Sequence, residues 1–375
     1  MRFRLLSALA PAVLFLALPA QSQTCADRSG DYAARIALCE QAFAMADSDT
    51  AAADALALKG EAQRLSGDLD GAAVTLGQAI RLTPTNAWLW VELGNVRFDQ
   101  SDIAGALAHY SAALAVEDYP DAWANRAEAW WEFRMAQNCS DDADQALRID
   151  PQYAYAHEIK GRCLIDLGRA DEAISYFDTA IALAPGYQNA YRNKMAALAD
   201  LGRMEEVVAL ADLALRPDTV PNPNPRIEED ILARRLLALA QYTPPAMIGA
   251  EAEALLRRYP ENFAALNVKA RALLASGNLA EADALTAPLR ANAAGLSLAA
   301  VYHDTLAQID VGLGRLDDAL RNYEAALNAD PSLSRVYARK LSELGFLPLS
   351  NAPSGVLTAL RRCIDVKKTG CVVSS

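Results

Sequence analysis

Small apolar residues, glycines and larger apolar side chains return along this chain in one order and at one spacing. The clearest instance is a unit beginning at Ala154, with Gly161, Gly168, Ala173, Phe177, Ala180 and Pro185. The same frame holds for Gly60, Gly67, Ala72, Leu76, Ala79 and Pro84 in a unit from Ala53, and for Gly94, Ala106, Tyr110 and Ala113 in the next, from Ala87. A further unit closes at Asp150 and Pro151. Downstream, Gly202, Val207 and Ala214 mark a unit from Gln188, and Gly277, Ala282 and Leu289 one from Phe263. Ala307, Gly314, Ala319, Tyr323 and Ala326 mark the last, from Ala300. The stretch 229–260 is a degenerate copy, with Leu236, Ile248 and Leu255 in place but without the anchoring glycines.

Each residue type suits its place. Small residues let two antiparallel helices approach closely, and a larger apolar side chain fills the gap between them. Glycine opens the turn, and proline, barred from a helix interior, suits the first turn of the next helix. One such unit buries too little to fold alone, so neighbours must stack around a continuous core. This overrides the roughly two or three globular domains that length alone suggests.

The anchors resemble those of the tetratricopeptide repeat (TPR), a helix-turn-helix unit of about 34 residues. The resemblance implies an all-α fold, a TPR alpha-alpha superhelix built as a right-handed helical-hairpin solenoid and ending in a short disulfide-closed C-terminal tail. The expected division is an N-terminal capping helix or half repeat over 23–52, five repeats over 53–215, a Pro/Asn-rich loop over 216–226 and three repeats over 227–331, the first of them degenerate. A terminal helix over 332–345 and a linker and tail over 346–375 complete it. Within the first of these segments, 32–46 carries Ile36, Cys39 and Phe43 on one side of a helix. The loop holds Pro217, Pro221, Pro223 and Pro225 with Asn222 and Asn224, a composition that cannot be helical.

The first residues set the expected compartment. Arg2 and Arg4 precede an apolar run over 5–18, and Ala20, Gln21 and Ser22 follow. This is the pattern of a secretory signal peptide over 1–22, cleaved near 20–22, which places the mature chain in the periplasm or outside the cell. A membrane anchor fits less well, because Ser7 and Pro11 break the run and no stop-transfer charges follow it. A lipidated Cys25 fits poorly too, since Ser22, Gln23 and Thr24 precede it. No later segment is long and apolar enough to span a bilayer. The formal net charge of −12 becomes more negative once the leader's arginines are lost, which makes nucleic acid a poor partner.

Six cysteines form three sequence-local pairs: Cys25 with Cys39, Cys139 with Cys163, and Cys363 with Cys371. An oxidising compartment permits disulfides, but sequence does not fix connectivity, and the middle two could equally be buried free thiols. Zinc is not expected, as no Cys-x-x-Cys or neighbouring histidine pair occurs.

Candidate chemistry is sparse. The three histidines, His109, His157 and His303, fall in three different repeats, and no metalloprotease, Gly-x-Ser-x-Gly or Ser-x-x-Lys pattern is present. Asp68, Asp70 and Gly71 hint at a calcium loop without its closing glutamate, and Asp141, Asp142 and Asp144 cluster similarly. Both are expected to be solvated acidic faces. No catalytic residue, cofactor or metal is assigned.

The resemblance further implies that the first helix of each repeat lines a concave face. Carried onto this sequence, it gives a partner-binding groove of Trp88, Asn95 and Phe98, then Glu128 and Trp131, then Tyr155 and Arg162, then Asn189 and Arg192, with Val91, Asp121, Ala124, Glu158, Ile165, Ala196 and Ala199 between. Trp90, Trp123 and Trp130 are expected to be structural. The carboxylate clamp of one subfamily is broken, since Asn95 and Asn125 match while Val91, Tyr155 and Ile159 replace its basic residues. The expected function is an adaptor, scaffold or assembly factor, not an enzyme, holding a segment of another exported or envelope protein. The alternatives are an accessory subunit or enzyme of cell-wall metabolism and a self-associating structural protein.

Overall fold

The structure, a computed structural model, describes residues 25, 31–221, 223–292, 295, 299–347, 355–367 and 371. The expected leader over 1–22 lies outside these, as do parts of the expected tail. Among the described residues there are 20 helices and no strand. The all-α helical-hairpin architecture expected from the repeats is the one found. The chain divides into two compact units, 1–159 and 160–375.

The first unit opens with α1 (Tyr32–Ala44), packed on α2 (Asp49–Ser66), and continues with α3 (Leu69–Leu82), α4 (Ala87–Asp99), α5 (Ile103–Val116), α6 (Pro120–Glu132) and α7 (Ala136–Ile149). The division falls inside α8 (Ala154–Asp166). Within the unit, α2 pairs with α3, α4 with α5 and α6 with α7. In addition α2 touches α4, and α4 touches α6, so the first helices of successive hairpins form a layer of their own.

The close approach within each hairpin has a steric cause. A Cβ added to Gly60 would stand 2.7 Å from Leu76 Cγ, and one on Gly94 would stand 2.4 Å from the Tyr110 ring. Leu76 and Tyr110 are fully or nearly fully buried against these glycines. The hairpin turns need a left-handed residue, supplied by Gly67 in the first hairpin but by Ser101 and Arg134 in the next two.

The second unit continues with α9 (Ala170–Leu183), α10 (Gln188–Asp200), α11 (Met204–Ala214), α12 (Pro225–Leu239), α13 (Pro245–Arg258), α14 (Phe263–Ala275), α15 (Leu279–Leu285) and α16 (Ala287–Asn292). It ends with α17 (Ala299–Gly312), α18 (Leu316–Ala329), α19 (Leu333–Glu343) and α20 (Val356–Lys367). Here α10 touches α12, α12 touches α14, and α14 touches α17, repeating the first-helix layer. Leu236, Ile248 and Leu255 of the glycine-poor hairpin are buried together, and the Arg235–Glu251 and Arg258–Glu228 ion pairs join α12 to α13 at the surface.

Two local departures have simple reasons. The Pro/Asn-rich segment is shorter than expected: Asn224 caps α12 by accepting from the Arg226 amide at 3.0 Å, and Pro225 occupies the first helical position, where no amide hydrogen is needed. The second helix of the next hairpin is broken into α15 and α16, because Pro288 cannot donate to the turn before it.

Both ends are fastened. Cys25 and Cys39 are bonded at one and Cys363 and Cys371 at the other, where α20 packs on α18 and α19. Cys139 and Cys163 are each held in a disulfide, so free thiols at these positions are ruled out. No helix among the described residues is long and apolar enough to cross a membrane.

Candidate functional site

The acidic clusters belong to the scaffold. Asp68 caps α3, accepting from the Gly71 amide at 3.0 Å, and Asp70 accepts from Gln100 at 2.8 Å. Asp142 is not solvated, contrary to expectation: it is 6% exposed and clamped by Arg126 through bonds of 2.6 and 2.9 Å. A forked guanidinium–carboxylate pair tolerates this burial because both oxygens are engaged. The histidines are similarly occupied. The His109 ring stacks on Trp90 with centroids 5.9 Å apart, His157 Nε2 lies 2.9 Å from the Pro151 carbonyl, and His303 Nδ1 lies 2.9 Å from Asn322.

In the first unit, side-chain hydrogen bonds join the first helices. Arg64 of α2 donates to Asp99 of α4 at 2.8 Å and stands 3.9 Å from Glu92. Asn95 of α4 accepts from Tyr110 of α5 at 2.8 Å and from Asn125 of α6 at 3.1 Å. Tyr155 of α8 donates to Glu128 of α6, and Tyr153 to Asp121 at 2.5 Å. Asn95, Glu128 and Tyr155 therefore share one polar ladder, with Phe98 and Trp131 one turn along α4 and α6. All five side chains are half-buried, as is Trp88. Arg134 stands over the Trp131 ring at 5.7 Å.

Other residues assigned to that face are elsewhere. Val91, Ala124 and Glu158 are 2%, 0% and 1% exposed and belong to the packing between helices. Asn95 and Asn125 bond each other, so the pair that matched a carboxylate clamp is already engaged. Trp90 donates to the Pro84 carbonyl at 2.9 Å, Trp123 to Asp118 at 2.6 Å with Arg126 over its ring at 4.7 Å, and Trp130 packs edge-on to Phe133.

The ladder is acidic in character. Burial, reinforced by the Glu128, Asp99 and Glu92 carboxylates, pushes the Tyr110 phenol far above its ordinary value. Burial likewise raises the Tyr119 phenol to about 12, helped by Asp121. Burial pulls Arg64 down, but its bond to Asp99 and the charges of Glu92, Asp99 and Glu61 outweigh this and leave it raised.

In the second unit, Arg162 of α8 and Asn189 and Arg192 of α10 are half-buried. Neither Asn189 nor Arg192 makes a side-chain hydrogen bond or ion pair among the described residues. This unit also holds a feature the sequence reading missed, a cavity walled by α10, α11, α12, α14 and α17 with Asn267 in its lining. The available signal was an asparagine inside the apolar run of α14, at the repeat position held by Arg192 in α10.

Comparison with known proteins gives the same repeats. A family model described as "TPR repeat" matches residues 60–101, and one described as "Tetratricopeptide repeat" matches 91–134 and 141–188. The small glutamine-rich tetratricopeptide repeat-containing protein 2 of Mycosarcoma maydis is 31% identical over 85 residues, which are 22% of this chain. The chain spans about a quarter of that relative, since the match covers 24% of it. Among solved structures, the type IV pilus biogenesis factor PilW is similar at 15% identity, with 56% of this chain and 94% of that chain covered and a TM-score of 0.49. Pseudomonas aeruginosa pilF is similar at 18% identity, with 56% and 92% covered and a TM-score of 0.47. A tetratricopeptide repeat protein of Parabacteroides merdae covers more of this chain, 74%, and 93% of its own, at 17% identity and a TM-score of 0.41. With helix pairs and anchoring glycines in the repeat's own register, this chain is a tetratricopeptide-repeat protein.

Proposed function

We propose that the chain is a scaffold or adaptor that binds a peptide segment of another exported or envelope protein along the first helices of its first unit, acting by binding and not by catalysis. The observation that carries this reading is the set of half-buried rings of Phe98, Trp131 and Tyr155 beside the Asn95–Asn125 and Glu128–Tyr155 bonds. Aromatic side chains held in this way offer large contact area at little cost in conformational entropy. A surface running over successive helices suits an extended or helical segment. Glu92, Asp99 and Glu128 favour a segment that carries a basic residue. Trp88 extends the set in the first unit, and Arg162, Asn189 and Arg192 offer polar contacts in the second.

Three disulfides support an oxidising compartment, in keeping with the leader pattern over 1–22. The test is crosslinking of the mature protein in native envelope extract beside a Phe98→Ala, Trp131→Ala variant of unchanged helicity. The reading expects a protein crosslinked to α4, α6 or α8 by the first and lost with the second. Equal recovery by both would mean that these rings do not form the binding face.

A further inference from the structure

The two ends of this chain carry opposite charge. Residues 332–375 hold seven lysines and arginines against two acids, whereas the other 331 residues hold 28 against 45. Over 31–50, Asp31, Glu40, Asp47 and Asp49 stand against one base, Arg35, which is buried and paired with Glu61.

Much of this end charge has no partner within the chain. Arg335 and Arg339 of α19 and Arg361 and Arg362 of α20 are exposed, and none makes an ion pair or side-chain hydrogen bond among the described residues. Elsewhere in the same unit Arg203, Arg235, Arg258, Arg290 and Arg315 are each held by a carboxylate. At the first end the exposed carboxylates of Asp47 and Asp49 are likewise without an ion pair or side-chain hydrogen bond among the described residues.

Both ends also leave apolar side chains in solvent. Tyr32, Phe43 and Met45 are 39%, 43% and 82% exposed, and Leu357 and Val366 of α20 are 39% and 70% exposed. On α20 the spacing of four residues sets Leu357 one turn from Arg361 and Val366 one turn from Arg362. A terminal helix of a solenoid has a repeat neighbour on one side only, and solubility favours a polar outer face there. These outer faces are instead apolar and charged together, the composition of a surface that is covered.

A basic, apolar end is complemented by an acidic, apolar one, and the chain itself supplies it. A lipid surface or another polyanion would answer the arginines but leave Tyr32, Phe43 and Met45 without a role. The net charge of −12 does not forbid the contact, because salt screens charges beyond about 8 Å and the local groups at the joint decide.

We propose that the chain associates head to tail, with α19 and α20 of one copy docking on α1 and the turn after it in the next. The four arginines then face Asp31, Asp47 and Asp49, and Leu357 and Val366 meet Tyr32, Phe43 and Met45. Such a joint is heterologous, so it leaves a free end of each kind and continues into chains or closes into a ring. It stands independently of the peptide reading above, because neither end uses Phe98, Trp131 or Tyr155.

Sedimentation velocity of the mature protein over roughly 1 µM to 1 mM tests this. The sedimentation coefficient should rise with concentration past that of a dimer, and the rise should shrink in about 1 M salt, where the screening length drops to about 3 Å. Arg361→Glu, Arg362→Glu at one end and Met45→Lys, Asp47→Lys at the other should each weaken association about tenfold or more. An equal mixture of the two variants should recover it, since the mixture holds an unaltered end of each kind. All four side chains are exposed, so helicity and melting temperature should stay those of the parent. Phe98→Ala, Trp131→Ala should associate as the parent does, which separates the assembly from the peptide face. A parent that is monomeric throughout overturns the proposal, and so does a mixture no more associated than its parts. Association that either end variant leaves intact would mean that like ends meet, and overturns it too. A monomer that co-sediments with phosphatidylglycerol vesicles, and ceases to on Arg361→Glu, Arg362→Glu, would give the basic end to a lipid surface instead.

Discussion

Ser101 and Arg134 hold φ values of 62° and 60° at turns where Gly67, Gly168, Gly202, Gly277 and Gly314 serve the other hairpins. A side chain with a Cβ is strained in this region, whereas glycine is not. Ser101→Gly is therefore expected to stabilise the α4–α5 hairpin by about 0.5–1 kcal/mol, after allowing for the greater freedom of glycine in the unfolded chain. Chemical denaturation of the variant checks this, and a loss of stability would show that the serine contributes more than its backbone costs. Gly94 is the opposite case. Its missing Cβ leaves room for the Tyr110 ring, so Gly94→Ala should cost about 1–3 kcal/mol by overpacking. His109 gives a pH dependence with a definite sign. Burial, then the Arg97 charge, lowers its pKa, so the unfolded chain binds a proton more readily than the folded one. Its contribution is full above the ordinary histidine value and fades as pH falls through the depressed one. Stability curves of the parent and His109→Gln should thus coincide in slope near neutrality, with the parent losing more stability than the variant as pH falls below the ordinary histidine value; identical slopes throughout would remove His109 from the account.

At the scale of the element, each unit ends in a helix fastened by something other than repeat packing. Arg35 of α1 is 2% exposed and pairs with Glu61 of α2 at 2.5 Å, while its Nε donates to the Cys25 carbonyl at 3.1 Å. Removing one partner of such a pair strands a buried charge, which costs about 3–5 kcal/mol, whereas replacing both by apolar groups is far milder. Arg35→Met should accordingly expose α1 and α2 to hydrogen exchange, and Arg35→Met, Glu61→Leu should restore much of the protection; similar exchange in both variants would deny the coupling. The helices themselves were legible because small-over-large pairs such as Gly60–Leu76 and Gly161–Phe177 are contacts that sequence spacing states directly. The start of α12 at Pro225 was less so, since a proline at the first helical position and a proline in a loop look alike without the cap that Asn224 supplies. Asp142 misled for a related reason: its neighbours Asp141 and Asp144 suggest solvent, and only the packed structure brings Arg126 across to it.

For the whole molecule, the repeat register gives the direction in which a Cβ leaves its helix and nothing about where the side chain ends. That is why the first-helix layers could be anticipated while the ladder through Asn95, and the amide of Asn267, which has no partner among the described residues, could not. The same one-dimensional logic governs stability, because each hairpin draws its burial from its sequence neighbours, and damage at one end should spread only as far as those contacts reach. The C-terminal end tests this. Val356, Ala359, Leu360 and Ile364 of α20 are buried with Tyr337 and Leu341 of α19, and Cys363 and Cys371, bonded across a sequence separation of 8, belong to the same cluster. A loop this short restrains the unfolded chain by about 2–3 kcal/mol in the chain-entropy account. Cys371→Ala should therefore lower protection of α18, α19 and α20 against hydrogen exchange by that amount and leave α2 to α6 unchanged. Uniform loss across both units would mean that the chain melts as one cooperative body, and then the ring face of the first unit and the Asn267 cavity of the second could not be weakened one at a time.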